Sequence, residues 1–346
     1  MKSTLLVISR YHYRLYCKGI EYYNKIHTDE KVDAFIIEKP VVGFAGKIKN
    51  FFQGKGSAEA VYFRQQIELL KKRIEDYDKI LFFNLNFYEY DLVDKDLFEL
   101  LEAKYTKLLF LDSMKKFSID DHILTSFDKV FSFDTKELEY IREKWHLNSQ
   151  HVPLGTNYNL YPVQDAKENY DVCFVGISNP KRLKYLDAIA EYCDKNNKKL
   201  FVSGHYWHDS NKLQSFLGER SFKRKHPVLF KYLHNQFIEP KDLASVYNQT
   251  KICLNINVDY HNNFNSRNFD VLYMGKLLIS DTQDLSGIVL EPGKHFLMCD
   301  DEAGMVKLID KYLQAEDERE RIAKSGKKII EEQYLFVNSL HEIVRD

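Results

Sequence analysis

Short apolar runs alternate with longer helical patterns along most of this chain, and this alternation limits the available folds more than any other feature. Runs of about four to eight residues rich in Val, Ile, Leu and Phe are typical of buried strands. Repeated strand–helix alternation predicts a parallel sheet with helices on both faces. In the first half, such runs predict the strands Thr4–Ser9, Val32–Glu38, Lys79–Asn84, Lys107–Asp112 and Lys129–Phe133.

The alternation breaks once and then resumes. The stretch His151–Tyr170 contains two prolines, a glycine and many polar residues, which is typical of a linker between domains. At 346 residues, the chain exceeds the size at which one hydrophobic core usually stops growing. We therefore predict an α/β protein of two doubly wound, Rossmann-like domains that face a central cleft. Strands are predicted beyond the linker at Asp171–Gly176, Leu200–Gly204, Lys251–Ile256 and Lys276–Ser280.

Composition and charge argue against several classes of protein. The chain has 50 Lys and Arg against 51 Asp and Glu, so it has no overall positive charge to attract nucleic acid. Its five cysteines form no CxxC pair, which predicts reduced thiols rather than a zinc or disulfide framework. No stretch approaches the ~18 apolar residues of a membrane span, and the first apolar run is too short for a signal peptide. We expect a cytoplasmic protein.

One segment could still contact a membrane. Gly43–Gly56 (GFAGKIKNFFQGKG) combines three lysines with three phenylalanines, a mixture suited to the inner face of an anionic bilayer. A surface loop with a short amphipathic helix is the alternative interpretation. Peripheral membrane contact is therefore an expectation for residues 43–56 alone.

Common cofactor and metal motifs are absent or weak. The sequence has no GxGxxG fingerprint, P-loop or GxSxG elbow. Two acidic triplets, Asp76–Asp78 and Asp94–Asp96, resemble Asp-x-Asp metal motifs. The first precedes a strand, whereas ligands bind beyond carboxyl ends, and the second lies where Asp commonly caps a helix. His205 and His208 have no third ligand nearby in the sequence. We expect no metal and no other cofactor.

Reactive side chains follow two predicted strands of the second half, at the ends where open α/β sheets bind ligands. Gly176 allows close backbone approach, and Lys181 and Arg182 follow at a helix start suited to phosphate. An ordinary solvated helix start is the alternative. After the next strand, His205 and Trp207 offer flat rings for a stacked base or, alternatively, an aromatic plug between the domains.

The stretch Asn262–Asp281 (NNFNSRNFDVLYMGKLLISD) contains a second helix start of this kind. Asn265 or Ser266 can cap the helix, beside Arg267, a natural bidentate partner for phosphate. Asp270 shares that helix face and can accept two hydrogen bonds from a ribose diol. A capped helix with a solvated Arg–Asp pair is the alternative. Two phosphate-binding helix starts at one cleft predict a nucleoside-diphosphate site.

The same stretch, followed by GIVLEPG and ERERIAKSGKKIIEEQY, resembles the C-terminal domain of group 1 glycosyltransferases, closest to the spore-maturation-protein-like branch. Two earlier segments, FLDSMKK and FDKVFSFDTKELEYI, resemble bacterial lipopolysaccharide and capsule glycosyltransferases. The resemblance covers Tyr77 to Tyr334 and is most specific in the last third. It implies the GT-B fold, with an acceptor-binding domain at 1–155, a nucleotide-sugar-binding domain at 156–335 and a final helix at 336–346 that packs back on the first domain.

The resemblance also implies an activity. Members transfer a sugar from a nucleoside diphosphate without a bound metal, here to a cell-surface glycan or lipid-linked glycan. The wider superfamily carries two glutamates with seven residues between them, and those positions hold Asn262 and Asp270 in this chain. Asn262 can bind a sugar hydroxyl but adds no charge. The charge of the leaving diphosphate would then be stabilised by Arg267, Lys181 and Arg182.

A base for the acceptor hydroxyl is expected from the first domain. Asp112, at the end of a predicted strand, is the first candidate, and His12 is the second. Asp112 could equally cap a turn or a helix. Two other classes stay open, namely a non-catalytic nucleotide-sugar or glycan-binding protein on the same fold and a two-lobed solute-binding protein.

Overall fold

A computed structural model describes residues 2–38, 57–84, 95–114, 121–161, 166–204, 207, 212–258 and 263–345. The chain forms two compact units. The first unit is Met1–Leu154 together with Phe336–Asp346, and the second unit is Gly155–Leu335. The segment 43–56, which is predicted to contact a membrane, lies outside the described residues.

The first unit is built on a six-stranded sheet in which all the pairings are parallel. Its strands are Lys2–Ser9 (β1), Glu30–Ile37 (β2), Lys79–Phe83 (β3), Tyr105–Phe110 (β4), Lys129–Ser132 (β5) and Ser149–His151 (β6). They lie in the order β2-β1-β3-β4-β5-β6. The direction of winding therefore reverses between β1 and β3. A crevice for ligands forms at such a switch point, beyond the carboxyl ends of the strands.

Helices connect these strands and cover the sheet. They are Arg10–Ile26 (α1), Ser57–Ile74 (α2), Lys95–Glu102 (α3), Asp121–Leu124 (α4) and Thr135–Trp145 (α5). The core between sheet and helices is aliphatic and aromatic, with Leu5, Phe82 and Val130 almost fully buried. Because helices cover both faces, the central strands are buried along most of their length, which explains why the sequence shows them mainly as continuous apolar runs.

The second unit repeats this architecture. Its parallel strands are Tyr170–Val175 (β7), Leu200–Gly204 (β8), Leu233–Asn235 (β9), Thr250–Asn255 (β10), Leu277–Asp281 (β11) and Leu297–Cys299 (β12). The sheet order is β12-β11-β10-β7-β8-β9, which is the strand order of dinucleotide-binding folds. Its switch point lies between β7 and β10. The helices are Pro180–Lys195 (α6), Lys212–Lys225 (α7), Pro240–Asn248 (α8), Ser266–Tyr273 (α9), Glu302–Gln314 (α10) and Glu316–Gln333 (α11).

The predicted fold class is confirmed, since both units are doubly wound α/β structures with parallel sheets. The strands that sequence patterns missed are β6, β9 and β12, each three residues long and too short to form an apolar run. All five cysteines are free thiols, as predicted. Two of them, Cys173 and Cys253, lie opposite each other on β7 and β10 with their Sγ atoms 3.5 Å apart.

The C-terminal helix Phe336–Arg345 (α12) belongs to the first unit, although the chain reaches it through the second. Lys107 of β4 is only 1% exposed, and its Nζ donates to the carbonyls of Ile343 at 2.7 Å and Val344 at 3.2 Å. The last carbonyls of a helix have no partner within it and carry the negative end of its dipole. The buried ammonium of Lys107 donates hydrogen bonds to these carbonyls and places a positive charge at the negative end of the dipole. Lys107 therefore secures the end of α12.

We predict that Lys107→Met loosens α12 by about 2 kcal/mol, because a buried acceptor that loses its donor costs about 1–3 kcal/mol. Lys79 is the matched control. It also reaches the Val344 carbonyl, at 3.2 Å, but it is partly exposed and pairs with Glu30. Lys79→Met should therefore cost less than about 1 kcal/mol. Hydrogen exchange of α12 peptides measures both, and unchanged protection in the Lys107 variant would contradict this role.

Candidate active site

Polar side chains crowd the switch point of the second unit, where β7 and β10 end. Asn255 closes β10, Asn257 follows it, and both are almost fully buried. Arg267, in the first turn of α9, donates from Nη1 to Oδ1 of Asn255 at 2.8 Å. Its Nη2 lies 3.1 Å from the position that a Cβ would occupy at Gly176. The missing side chain at Gly176 therefore makes room for the Arg267 guanidinium.

The start of α9 is held by a chain of amides. Asn265 is the N-cap, since its Oδ1 accepts the Arg267 N–H at 3.1 Å. Its Nδ2 donates to Oδ1 of Asn257 at 2.7 Å. The predicted alternative, Ser266, is instead the first residue of the helix and is partly exposed. The cap and the guanidinium are thus both fixed to the end of β10.

The two other predicted cations have different surroundings. Arg182 is 5% exposed, and it donates from Nε to the Ile256 carbonyl at 2.8 Å and from Nη1 to the Ile177 carbonyl at 2.9 Å. These bonds join the loop after β7 to the end of β10, so Arg182 supports the site from within. Lys181 keeps 27% of its side chain exposed and pairs through Nζ with Asp281 at 2.7 Å.

Phe174 of β7 lies beneath both arginines. The guanidinium carbons of Arg182 and Arg267 are 5.4 and 5.5 Å from the centroid of its ring. Cation–π attraction of this kind is stronger where water is excluded. Phe174 is fully buried, so its ring gives the two charged groups a rigid apolar support.

Asp270, one turn into α9, accepts a hydrogen bond at Oδ1 from the Thr156 hydroxyl at 2.6 Å. Burial raises the pKa of Asp270 to about 7, although the Thr156 hydrogen bond and the Arg267 charge act in the opposite direction. The Thr156 hydroxyl oxygen also accepts the Tyr158 N–H at 3.1 Å. The carboxyl therefore changes its charge near neutral pH.

Trp207 is part of the core rather than an open surface. It is 4% exposed, and it packs edge-to-face against Phe174 and Phe222. Its Nε1 donates to the Gly176 carbonyl at 3.1 Å, and Gly204, with φ of +149°, approaches the same carbonyl so closely that a Cβ would lie 2.0 Å from the oxygen. Trp207 therefore supports the Gly176 turn and has little ring surface left for a stacked base.

The first unit has a polar cluster at its own switch point. His12 lies in the first turn of α1, and its Nε2 is 3.9 Å from Oδ2 of Asp112 and 3.4 Å from Nδ2 of Asn84. Its Nδ1 lies 2.8 Å from the hydroxyl of Ser9, the N-cap of α1. The structure thus brings the two predicted base candidates together. The remaining predicted site residues, His205 and Asn262, lie outside the described residues.

Sequence reasoning missed the groups that hold these side chains in place, namely Asn84, Asn255, Asn257, Asp281 and Thr156. Four of them share a signal that could have found them. The runs LFFN, CLNIN and LLISD each place a polar side chain at the end of a buried strand, where it is either a ligand group or the support of one. Thr156 has no such signal, because it lies in the linker.

Comparison with known proteins is consistent with this geometry. Residues 186–345 match a protein family described as "Glycosyl transferase-like", in agreement with the predicted glycosyltransferase class. No curated protein sequence matches the chain.

Solved structures show the fold of the whole chain. It is similar to a sucrose-phosphate synthase from Thermosynechococcus elongatus (TM-score 0.69, 14% identity, covering 99% of this chain and 98% of the other). It is also similar to Anabaena HepE in complex with UDP and glucose (TM-score 0.65, 11% identity, covering 100% of this chain and 99% of the other). A glycosyltransferase from Rickettsia africae ESF-5 is similar as well (TM-score 0.65, 10% identity, covering 99% of this chain and 98% of the other). The fold is therefore GT-B, as predicted.

The raised pKa of Asp270 predicts a pH dependence of stability. The native carboxyl binds its proton up to about pH 7, whereas the unfolded carboxyl loses it near the ordinary aspartate pKa of 3.8. The contribution of Asp270 to stability is thus complete below the unfolded pKa and is lost as the pH rises through about 7. We expect Asp270→Asn to gain stability over the wild type between pH 5 and 8, by at most about 1.4 kcal/mol per pH unit.

Urea titrations of both proteins across this range measure the difference, because ionisations elsewhere in the chain cancel in the comparison. Asn can still accept the Thr156 hydrogen bond, so the substitution removes the charge and preserves the contact. A difference that stays constant with pH would show that Asp270 titrates in the ordinary acidic range.

Proposed function

We propose that this protein transfers a sugar from a nucleoside-diphosphate donor to a hydroxyl group of a glycan, with the donor bound at the switch point of the second unit. The observation that carries the proposal is the setting of Arg267. Its guanidinium is directed by Asn255 and lies over Phe174, where Gly176 leaves space beside the N-terminus of α9. A fixed guanidinium beside a helix N-terminus is suited to a diphosphate.

The donor would be held at both ends of its diphosphate-ribose part. Arg267 and the partly exposed Lys181 would bind the phosphates, while Asp270 would accept hydrogen bonds from the ribose diol. Thr156 donates to Oδ1 of Asp270, so Oδ2 is the oxygen that would accept from the ribose. Because HepE has been solved with UDP and glucose, a uridine diphosphate sugar is the first donor class to test.

Chemistry would proceed through charge separation. As the bond between the sugar and the diphosphate breaks, negative charge grows on the leaving phosphate. Fixed positive groups that already point at this position stabilise it without reorganisation. We propose that Arg267 and Lys181 supply this stabilisation and that transfer requires no metal ion.

The acceptor would bind at the switch point of the first unit. There His12 and Asp112 lie 3.9 Å apart, a spacing at which one group can take a proton while the other stabilises the charge that results. The sequence resemblance to lipopolysaccharide and capsule enzymes points to a cell-surface or lipid-linked glycan as the acceptor. The proposed place of action is the cytoplasm, where such donors are made.

A second candidate function is a nucleotide-sugar-binding protein without transfer activity. It is favoured by the pairing of Lys181 with the buried Asp281 and by the internal role of Arg182, since both reduce the positive charge available to a leaving group. Tight donor binding without turnover on any acceptor would establish this alternative.

We predict that calorimetric titration with UDP, GDP, CDP, dTDP and CMP finds selective binding of one diphosphate, unchanged by EDTA. Arg267→Ala should reduce turnover by about 10²–10³-fold, equal to about 3 kcal/mol in the barrier, while the fold stays intact. Turnover close to that of the wild type in Arg267→Ala would contradict the assignment.

Lys184→Ala is the matched control for the charge. Lys184 lies on α6 one turn after Lys181, it is 68% exposed, and it pairs with Glu302 away from the site. Its removal should leave binding and turnover unchanged. Equal losses in the Lys184 and Arg267 variants would mean that general positive charge, rather than a directed guanidinium, attracts the donor.

Membrane contact is a separate proposal that rests on the sequence of residues 43–56. Across the part of the chain that the structure describes, no helix is long and apolar enough to cross a bilayer. We predict that replacing Phe51 and Phe52 with Ser reduces sedimentation with phosphatidylglycerol vesicles several-fold. Leu69→Ser, at an exposed apolar position of α2, is the control and should have no effect. Equal sedimentation of all three proteins would end this proposal.

A further inference from the structure

Asn84, directly after β3, has an uncommon backbone conformation at the switch point of the first unit. Its φ is +55°, in the left-handed region, and its side chain is only 2% exposed. Asn tolerates this region better than most residues, but a non-glycine residue stays there only where its surroundings determine it. Such positions concentrate at functional sites.

The orientation of the Asn84 amide follows from its contact with the next strand. The Leu111 N–H donates to Oδ1 of Asn84 at 2.7 Å, and the Asn84 N–H donates to the Leu109 carbonyl at 2.9 Å. A backbone N–H can only donate, so the atom that it meets must be the carbonyl oxygen. The amide nitrogen Nδ2 therefore faces the other way, 3.4 Å from Nε2 of His12.

This orientation selects one tautomer of His12. Because Nδ2 only donates, Nε2 can face it favourably only with its lone pair. The ring proton then belongs on Nδ1, which lies 2.8 Å from the Ser9 hydroxyl oxygen. The other tautomer would bring two N–H groups into opposition at 3.4 Å. The Ser9 hydroxyl can donate or accept, so it accommodates this tautomer, and Asn84 is the group that selects it.

We propose that Asn84 is a positioning residue that keeps neutral His12 in the Nδ1–H tautomer, with the Ser9 hydroxyl accepting from Nδ1, and makes Nε2 the atom that receives the acceptor proton. This inference rests on the proposed function. The acceptor O–H bond breaks and its proton passes to Nε2. The oxygen bonds to the anomeric carbon as the bond to the nucleoside diphosphate breaks. Asp112, 3.9 Å from Nε2, then stabilises the imidazolium.

The geometry also separates the roles of the two base candidates. A contact of 3.4 Å between Nδ2 and Nε2 is long for a hydrogen bond, so an acceptor hydroxyl can displace it. The second ring nitrogen of a histidine commonly decides which nitrogen reacts, through the hydrogen bond that it makes. His12 is accordingly the base, and Asp112 is its charge partner.

The first test reads the tautomer without any turnover. Nuclear magnetic resonance of protein labelled with ¹⁵N-histidine distinguishes a protonated from an unprotonated ring nitrogen, and His12→Gln identifies the His12 signals among the 12 histidines. We expect Nδ1–H in the wild type. Asn84→Asp keeps the shape and the acceptor for Leu111 but replaces the donor with an oxygen, so it should shift His12 toward Nε2–H. The proposal would be overturned if His12 of the wild type carries its proton on Nε2, or if Asn84→Asp leaves the His12 tautomer unchanged.

Asn24→Asp is the matched control. Asn24 also bridges two backbone positions, since it bonds the N–H and the carbonyl of Val32 at 2.8 Å, but it lies away from His12. The same change of amide to acid there should leave the His12 tautomer unchanged. A shift in this variant would show that the signal reports general loosening of the unit.

The second test uses transfer activity. Asn84→Asp should lower kcat about tenfold or more and move the acidic limb of its pH profile upward, while the KM for the donor stays constant because the donor binds the other unit. Asn84→Gly, which accepts the left-handed backbone without strain, should lower kcat with no upward shift of the limb. A wild-type kcat and pH profile in both variants would exclude the positioning role. If the wild type transfers no sugar, the proposed function fails, whereas the tautomer is still tested by resonance alone.

Discussion

The reversal of winding in each parallel sheet decides where this protein can bind a ligand. On either side of the switch point the connecting helices pass to opposite faces, so the carboxyl ends of two neighbouring strands are left uncovered. In the second unit these strands are β7 and β10, and in the first they are β1 and β3. The side chains to which we assign a role in donor binding or sugar transfer lie at or near one of these two crevices. The large apolar core serves to hold the strand ends in register.

Asparagine side chains hold most of the site residues of the second unit in position. Asn255, Asn257 and Asn265 can each donate and accept, so they connect a guanidinium, a helix cap and a strand end without leaving the shared groups unpaired. In a buried setting such a network is stabilising only when its members are satisfied together. Within this network, the contact with Asn255 sets the direction of the Arg267 guanidinium.

The first unit uses the same principle with different chemistry. One asparagine, Asn84, joins a histidine on α1 to the backbone after β4, and its uncommon backbone conformation is the cost of that connection. Farther along the sheet, the ammonium of Lys107 secures the last turn of α12. In both places a buried polar group of the sheet region contacts a helix: Asn84 reaches the His12 side chain on α1, and Lys107 reaches the last carbonyls of α12.

The sequence by itself determined the class of fold and the positions at which chemistry could occur. The period of apolar residues depends on neighbours a few positions apart, so it predicted the long strands and the parallel sheets. The capping residues Asn265 and Ser266 predicted the helix start beside Arg267. Only the tertiary structure decided what each of these side chains does. Arg182 and Arg267 have the same chemistry in the sequence, yet one is buried against backbone carbonyls and the other is directed by Asn255. His12, Asn84 and Asp112 meet although they are far apart in the chain, because the order of strands in the sheet, rather than the local pattern, brings them together.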